Sequence, residues 1–87
     1  MHDLGKLERV VRIDKTAPEP LYRQLADLLR GQIERGQLPQ RTAVPSLVKL
    51  AADYDVSVIT VRKAIQVLKD EGLIITVSGR GTFVAER

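Results

Sequence analysis

The feature that most constrains this fold is a short helical pattern that is followed, after a tight turn, by a longer one. Ser46 is a favourable N-cap and starts the first pattern, which predicts a helix over about 46–54. Its apolar residues recur at helical spacing: Leu47, Leu50, Ala51 and Tyr54. Ser57 caps the second pattern, which predicts a helix over about 58–71 with a buried stripe of Val61, Ala64, Ile65 and Leu68. Two helices this close together predict a helix-turn-helix unit.

Both ends of the second helix are marked by local sequence. Val56 precedes the cap and can meet Val61 one turn later, as in a hydrophobic staple. Gly72 supplies the stop, and Leu73 beyond it is placed to contact Leu68, as in a Schellman ending. These signals predict a helix whose position in the chain is fixed at both ends.

A further helix is predicted upstream of this unit. Pro20 suits a first helical turn and Gly36 suits a helix stop, which predicts a first helix over about 20–35. Its apolar stripe is Leu21, Leu25, Leu28, Leu29 and Ile33. The N-terminal segment 1–17 is mixed in character, and the composition of residues 10–13 favours a short strand.

Downstream of the second pattern the hydrophobic period changes to that of strands. Residues 73–85 are typical of a hairpin with a glycine-containing turn at 78–81, and we expect Phe83 to pin this wing onto the helices. Two prolines and little periodicity predict a loop over 37–45. The predicted fold class over residues 18–85 is α+β, a winged helix-turn-helix of three helices followed by a two-stranded β-hairpin wing.

The composition excludes several classes of function. The 87-residue chain has no cysteine and a single histidine, His2, which removes thiolate and multi-histidine metal sites and histidine-based catalytic triads. No apolar run approaches the roughly 20 residues that cross a bilayer, and the N-terminus lacks the apolar stretch of a secretory signal. We therefore expect no enzyme activity, no metal, no cofactor and no membrane partner, and a cytoplasmic location. The net charge of +3 is compatible with an acidic partner without demanding one.

A helix-turn-helix presents the N-terminus of its second helix to the major groove of double-stranded DNA. The same spacing also occurs in plain helical hairpins of small α+β domains. The wing favours DNA, because Arg80 lies between Gly79 and Gly81 at the hairpin tip, where it can enter a minor groove. An ordinary tight turn with a solvated arginine is the alternative for these residues.

Short motifs of one known family run through residues 18–85. They are Pro20-Leu21-Tyr22, Pro45-Ser46, Leu50-Ala51, Val56-Ser57, Thr60-Val61-Arg62, Leu68, Glu71-Gly72-Leu73-Ile74 and Gly79-Arg80-Gly81-Thr82-Phe83-Val84. Together they resemble the winged helix of the GntR family, in the style of its HutC- or YtrA-like members. The resemblance implies a bacterial transcription regulator, in particular a repressor, that binds a palindromic operator in double-stranded DNA as a homodimer. It also implies a ligand-sensing C-terminal domain beyond Arg87, through which a small-molecule effector would act.

Two departures from the family pattern replace glycines. Gln40-Arg41 stands where the family usually has Pro-Gly before the second helix, and Asp55 stands where it usually has a glycine in the turn. Asp tolerates a left-handed backbone better than most residues do, so we expect the turn to survive.

Two further departures replace arginines that the resemblance places on the DNA. Val48 and Val58 occupy those positions, and Ile59 replaces a usual polar residue. Three alternatives stay open for Val58 and Ile59. They can contact thymine methyl groups and favour an A·T-rich operator, they can form an apolar surface that makes the domain a protein–protein interaction module, or they can be buried against the wing or the second helix. Fewer charge-assisted contacts also predict weaker binding that depends less on salt.

The remaining candidate DNA contacts divide by chemistry. Thr60 and Arg62 lie off the apolar stripe near the helix N-terminus, where side chains reach base edges, and Arg62 can pair with guanine or with phosphate. The phosphate candidates are Ser46, Lys49, Ser57 and Lys63, with Arg41 in the preceding loop. Both serines cap helices whose free N–H groups suit an anion. The alternative is that the serines only cap and that the charged side chains are simply solvated.

Overall fold

The computed structural model describes residues 13–86 and contains three helices followed by a hairpin. The elements are α1 (Leu21–Glu34), α2 (Leu47–Tyr54), α3 (Val58–Asp70), β1 (Ile74–Val77) and β2 (Gly81–Val84). The predicted fold class, a winged helix-turn-helix, is confirmed. Most of the segment 10–13, where a short strand is predicted, lies outside the described residues, and Ile13 itself has no regular secondary structure.

Serine hydroxyls start α2 and α3, as predicted. Ser46 Oγ accepts a hydrogen bond from the backbone N–H of Lys49 at 3.1 Å, and Ser57 Oγ accepts one from Thr60 at 3.0 Å. The start of α1 differs from expectation, because Pro20 precedes the helix and does not lie in its first turn. Its carbonyl oxygen accepts the first backbone hydrogen bonds of the helix.

The end of α3 has the predicted Schellman geometry. Gly72 has a φ of +76°, a left-handed conformation that only a residue without a Cβ adopts at no steric cost. The N–H of Leu73 donates to the Leu68 carbonyl at 2.9 Å, and the N–H of Gly72 donates to the Lys69 carbonyl at 2.9 Å. Leu68 and Leu73 both belong to the buried core, so the helix end is also a packing point.

The helix α3 forms the centre of the core, because one of its faces is apolar along its whole length. Its buried residues are Val61, Ala64, Ile65 and Leu68, as predicted. The buried side chains that α1 contributes to the same cluster are Leu25, Ala26, Leu29 and Ile33. Leu21, at the start of the predicted α1 stripe, is only half-buried. This packing leaves the opposite face of α3 in solvent.

The hairpin is held to the core by Ile74 and Val84, which pair directly across the sheet and are almost fully buried. The prediction that Phe83 pins the hairpin is wrong. Side chains alternate between the two faces of a strand, so Phe83, which pairs with Ile75, lies on the face opposite to Val84. It is half-buried there.

The segment before α2 pairs with the free edge of β2, which the prediction of a loop over 37–45 missed. Three backbone hydrogen bonds join them: Arg41 N–H to the Val84 carbonyl at 2.8 Å, Val84 N–H to the Thr42 carbonyl at 2.9 Å, and Val44 N–H to the Thr82 carbonyl at 2.8 Å. A β-bridge also places Ala43 opposite Phe83. The base of the wing is therefore hydrogen-bonded on both edges of β2.

Two non-glycine residues of the described chain have a positive φ, Arg41 at +69° and Asp55 at +55°. Both replace a glycine of the family pattern. Asp55 closes α2 in the left-handed region, so the turn forms with aspartate, as expected. Its carboxylate pairs with Lys15 Nζ at 2.9 Å, which ties the N-terminal segment to the turn.

An ion pair joins α1 to the end of α3. Arg30 donates from Nε and Nη2 to the two carboxylate oxygens of Glu71, at 2.9 Å and 2.8 Å, and from Nη1 to Asp27 at 2.6 Å. These hydrogen bonds from Arg30 lower the pKa of the Glu71 carboxyl, and those to Glu71 and Asp27 raise the pKa of the Arg30 guanidinium. The ion pair thus links α1 to the C-terminal end of α3, beside the apolar contact of the two helices.

Candidate nucleic-acid interface

The first two turns of α3 carry the exposed polar side chains of the helix-turn-helix. Val61 is fully buried beneath them and anchors the helix. Arg62 and Lys63 follow it on the solvent side, and Thr60 before it is half-buried. Since the apolar stripe faces the core, these polar residues are presented together at the N-terminal end of α3.

The hydroxyl groups at this helix start are linked to each other. Ser57 Oγ accepts the N–H of Thr60 and also donates to Thr60 Oγ1 at 3.0 Å. Because the two side chains contact each other, Ser57 is a positioning partner of Thr60 at the start of α3.

The two basic residues of this helix start differ in their surroundings. Lys63 Nζ lies 5.9 Å from the centre of the Tyr22 ring, and Arg23 Cζ lies 5.6 Å from the same ring. Arg62 is exposed and forms no ion pair with any residue in the range 13–86. Arg62 is therefore the cation that is free to extend away from the domain.

The start of α2 holds the other predicted phosphate candidates. Ser46 is exposed and uses its oxygen in the cap described above. Lys49 does not extend freely, because its Nζ lies 3.1 Å from Asp53 Oδ2 one turn later. Both side chains of this pair are exposed, and exposed ion pairs contribute little to stability. The Lys49 ammonium group can therefore leave Asp53 for another anion.

The wing tip carries Arg80 on a tight turn. The Arg80 N–H donates to the Val77 carbonyl at 2.9 Å, and the flanking Gly79 and Gly81 have φ of +76° and +114°, which side chains would oppose. Arg80 lines a groove of about 280 Å³ together with Ser46 at the start of α2. The fold therefore brings the wing arginine and the α2 cap to one surface, which we call the inner groove.

The apolar residues that depart from the family pattern on this side of the domain are exposed or half-buried. Val48 is 70% exposed and Ile59 is 62% exposed, while Val58 is half-buried. The expectation that Ile59 could be buried against the wing or α2 is wrong. These side chains lie beside the polar candidates without a covering element among the described residues.

Two features of this surface were not predicted from the sequence. The Tyr22 ring beneath Lys63 joins α1 to α3, and no spacing along the chain signals such a long-range contact. The pairing of Lys49 with Asp53 carries a signal, since opposite charges four residues apart on a helix attract each other. Applied to residues 49 and 53, that rule would have predicted the pair.

Residues 13–86 contain no helix of the length and apolar character that a bilayer span requires. Over the same range no three His, Cys, Asp or Glu side chains come together as metal ligands do.

The chain has known relatives both by sequence and by fold. Residues 21–84 match the family described as bacterial regulatory proteins, gntR family. The mannosyl-D-glycerate transport/metabolism system repressor MngR of Escherichia coli (strain K12) is 41% identical over 68 residues, which are 78% of this chain and 28% of that repressor. The chain spans less than a third of the length of curated relatives that it matches.

Two solved structures share the fold at appreciable identity. YtrA from Sulfolobus acidocaldarius, a GntR-family transcription factor, superposes with a TM-score of 0.81 at 35% identity, covering 90% of this chain and 82% of that one. The AraR(DBD) structure, solved in complex with an operator, superposes with a TM-score of 0.77 at 31% identity, covering 86% of this chain and 96% of that one.

Proposed function

Because the chain belongs to the GntR family of bacterial regulatory proteins and has the fold of its DNA-binding domain, we propose that it recognises an operator in double-stranded DNA as part of a transcriptional repressor. One observation carries the proposal. The exposed start of α3, with Thr60 and the unpaired Arg62, lies on the same domain as an inner groove that joins the α2 cap to Arg80 of the wing. These two surfaces suit a duplex, since one can enter the major groove and the other the adjacent minor groove.

In this arrangement α3 enters the major groove and the wing enters the adjacent minor groove. Thr60 and Arg62 contact base edges, and Arg80, with room provided by Gly79 and Gly81, reads the minor groove. The phosphate contacts come from Ser46, Lys49, Ser57 and Lys63. The two lysines first leave Asp53 and the Tyr22 ring, which are weak partners for an ammonium group.

Val48, Val58 and Ile59 give this domain a preference of its own. Valine and isoleucine cannot pair with guanine or phosphate as arginine does, but they pack against the methyl group of thymine. The exposure of Val48 and Ile59 keeps them available for that contact. We therefore propose an operator that is richer in A·T pairs, and a protein–protein interaction module on this face is the competing function.

For the whole regulator we propose a homodimer on a palindromic operator, with recognition helices about 34 Å apart, one turn of DNA. The chain covers less than a third of MngR, and we propose that a small-molecule effector acts through a separate C-terminal domain. We further propose a regulatory role without catalysis and a cytoplasmic location, as fits a bacterial protein that acts on DNA.

Selection of binding sites from a pool of random duplexes tests this function. We expect enrichment of a motif with A·T pairs at the positions that face Val58 and Ile59, and binding that weakens as salt rises. Enrichment of G·C pairs at those positions would contradict the thymine contact. No enriched motif together with no salt-dependent binding would contradict DNA recognition and favour the protein-binding alternative.

A further inference from the structure

The wing has a second, outer face that the proposed docking does not use. Side chains alternate along the hairpin, so Ile75 and Phe83 lie together on the face opposite to the core. A groove of about 400 Å³ runs along this face. Its lining, which we call the outer groove, comprises Arg41, Ile75, Val77, Arg80, Phe83 and Glu86, with Val84 beneath.

The outer groove is cationic at both ends. Arg41 is joined through its backbone to Val84 at one end of β2, and Arg80 directly precedes Gly81 at the other. A strand of this length spans roughly 10 Å at about 3.3 Å per residue. Exposed Ile75 and Val77 lie between the two arginines, and Glu86 is the one acidic residue of the lining.

Arg41 has a backbone conformation that is unfavourable for a residue with a side chain. Its φ of +69° lies in the left-handed region, which a long side chain adopts at a steric cost. The cost is not offset by packing, because the side chain is 76% exposed, nor by a close ion pair, because Nη1 lies 3.9 Å from an equally exposed Glu86. The backbone hydrogen bond from Arg41 to Val84 does not require an arginine side chain, and strained residues cluster at binding sites, so we assign this side chain a role in binding.

Arg80 contributes to both grooves, so a single ligand can contact both. Arg80 lines both the inner and the outer groove, so the wing tip separates them. A hairpin that enters a minor groove, which is about 6 Å wide, has a sugar–phosphate backbone on each side. Resting on the proposed function, we propose that the outer groove binds the far backbone of that minor groove, with Arg41 as its phosphate ligand.

The complementarity is one of charge and of shape. Each strand of the duplex carries a negative charge for about every 3.4 Å of helix axis, so the wall next to the outer groove presents phosphates along its whole length. Arg41 and Arg80 supply the matching cations at its ends, and the apolar side chains between them face the sugars. The wing is then held on both walls of the minor groove and not only at its tip.

Substitution of Arg41 separates its effect on stability from its effect on DNA binding. The probe is a mixed-sequence duplex of about 30 base pairs, titrated between about 50 and 200 mM salt. We expect Arg41→Gly to raise the urea midpoint of unfolding, since glycine relieves the backbone, and yet to weaken binding and reduce the salt slope by about 1. Arg41→Lys, which keeps the cation, should retain most of the slope.

Arg35→Gln provides the matched control, because Arg35 is an exposed cation at the end of α1 that lines neither groove. It should leave the salt slope nearly unchanged. Ile75→Lys adds a cation to the outer groove and should steepen the slope by about 1.

The outcomes distinguish this inference from the function on which it rests. An unaltered chain that shows no salt-dependent binding overturns both. An unaltered chain that binds, with the same slope in Arg41→Gly and in Ile75→Lys, overturns the outer groove alone and leaves that face to a protein partner. Equal losses in Arg41→Gly and Arg35→Gln would also overturn it, because they would reflect net charge and not position.

Discussion

The last turn of α3 is held by burial, a glycine ending and an ion pair to α1, whereas its first turn is held by a buried valine and the Ser57 cap. At the last turn Leu68 is buried, Gly72 ends the helix and Glu71 is paired with Arg30 of α1. At the first turn Val61 is buried, but Arg62 next to it extends into solvent. The buried face of this helix therefore stabilises the domain along its whole length, whereas its candidate recognition residues lie on the exposed face of its first two turns. Substitutions on the two faces should separate folding from binding.

The largest expected effect is on the buried face. Leu68→Ala removes a fully buried side chain and should lower the free energy of unfolding by about 2–5 kcal/mol, through lost burial and the cavity that remains. Urea denaturation monitored by circular dichroism measures this loss. Gln66→Ala, two residues away and exposed, is the control and should change stability by no more than about 0.5 kcal/mol. A similar loss for both variants would contradict the assignment of stability to the buried face of α3.

The next effect concerns recognition alone. Arg62→Ala should leave unfolding nearly unchanged and reduce discrimination between the selected duplex and a mismatched one by about 1–3 kcal/mol. Competition titration at one salt concentration measures this discrimination. Lys49→Ala is the comparison, since a phosphate contact should weaken binding to all duplexes alike. Equal discrimination in Arg62→Ala and in the unaltered chain would place base reading elsewhere.

Ser57→Ala should affect both stability and DNA binding, because Ser57 caps α3 and also positions Thr60. Loss of the N-cap should lower the free energy of unfolding by about 1 kcal/mol, and Thr60 should lose its positioning partner. Ser57→Asp keeps a cap acceptor and should recover stability, while its charge next to phosphate should weaken DNA binding. Recovery of both properties in Ser57→Asp would show that Ser57 does not lie close to the duplex.

The smallest expected effect is the pH dependence of the Glu71 pair. Hydrogen bonds from Arg30 lower the pKa of Glu71 in the folded chain below the unfolded value of about 4.3. The pair therefore stabilises the fold above that pH, and its contribution is lost as pH falls through the lowered pKa. Glu71→Gln should be less stable than the unaltered chain near pH 7, and the difference should shrink in acid. A difference that does not change with pH would assign the effect of Glu71 to packing.

Local signals explain how much of the fold could be predicted from the sequence. The caps at Ser46 and Ser57 and the ending at Gly72 depend on residues a few positions apart, and each is confirmed. The buried stripe of α3 was equally readable, because a helix converts spacing into a face. Even the left-handed turn at Asp55 followed from the preferences of a single residue.

The failures share a different cause, since each depends on which face or edge a distant segment covers. Phe83 is the largest apolar side chain of the wing, but the register places it away from the core. The pairing of residues 41–44 with β2 joins segments that are far apart in sequence. The two prolines of the segment 37–45 favoured the prediction of a loop instead. In the candidate site, residue types could be chosen from the sequence, whereas the cation–π contact of Lys63 with Tyr22 and the shared lining of Arg80 required the fold.

The hydrogen bonds at the base of the wing have a consequence for the DNA. Val44, which donates to Thr82 in β2, lies two residues before the cap of α2, so the wing and the helix pair form one backbone-bonded unit. Their separation cannot change unless these bonds break. In the proposed complex, the twist and groove width of the duplex must then suit that fixed separation, and some sequences deform at lower cost than others. Base pairs between the two contact points would be selected by their stiffness, without being touched.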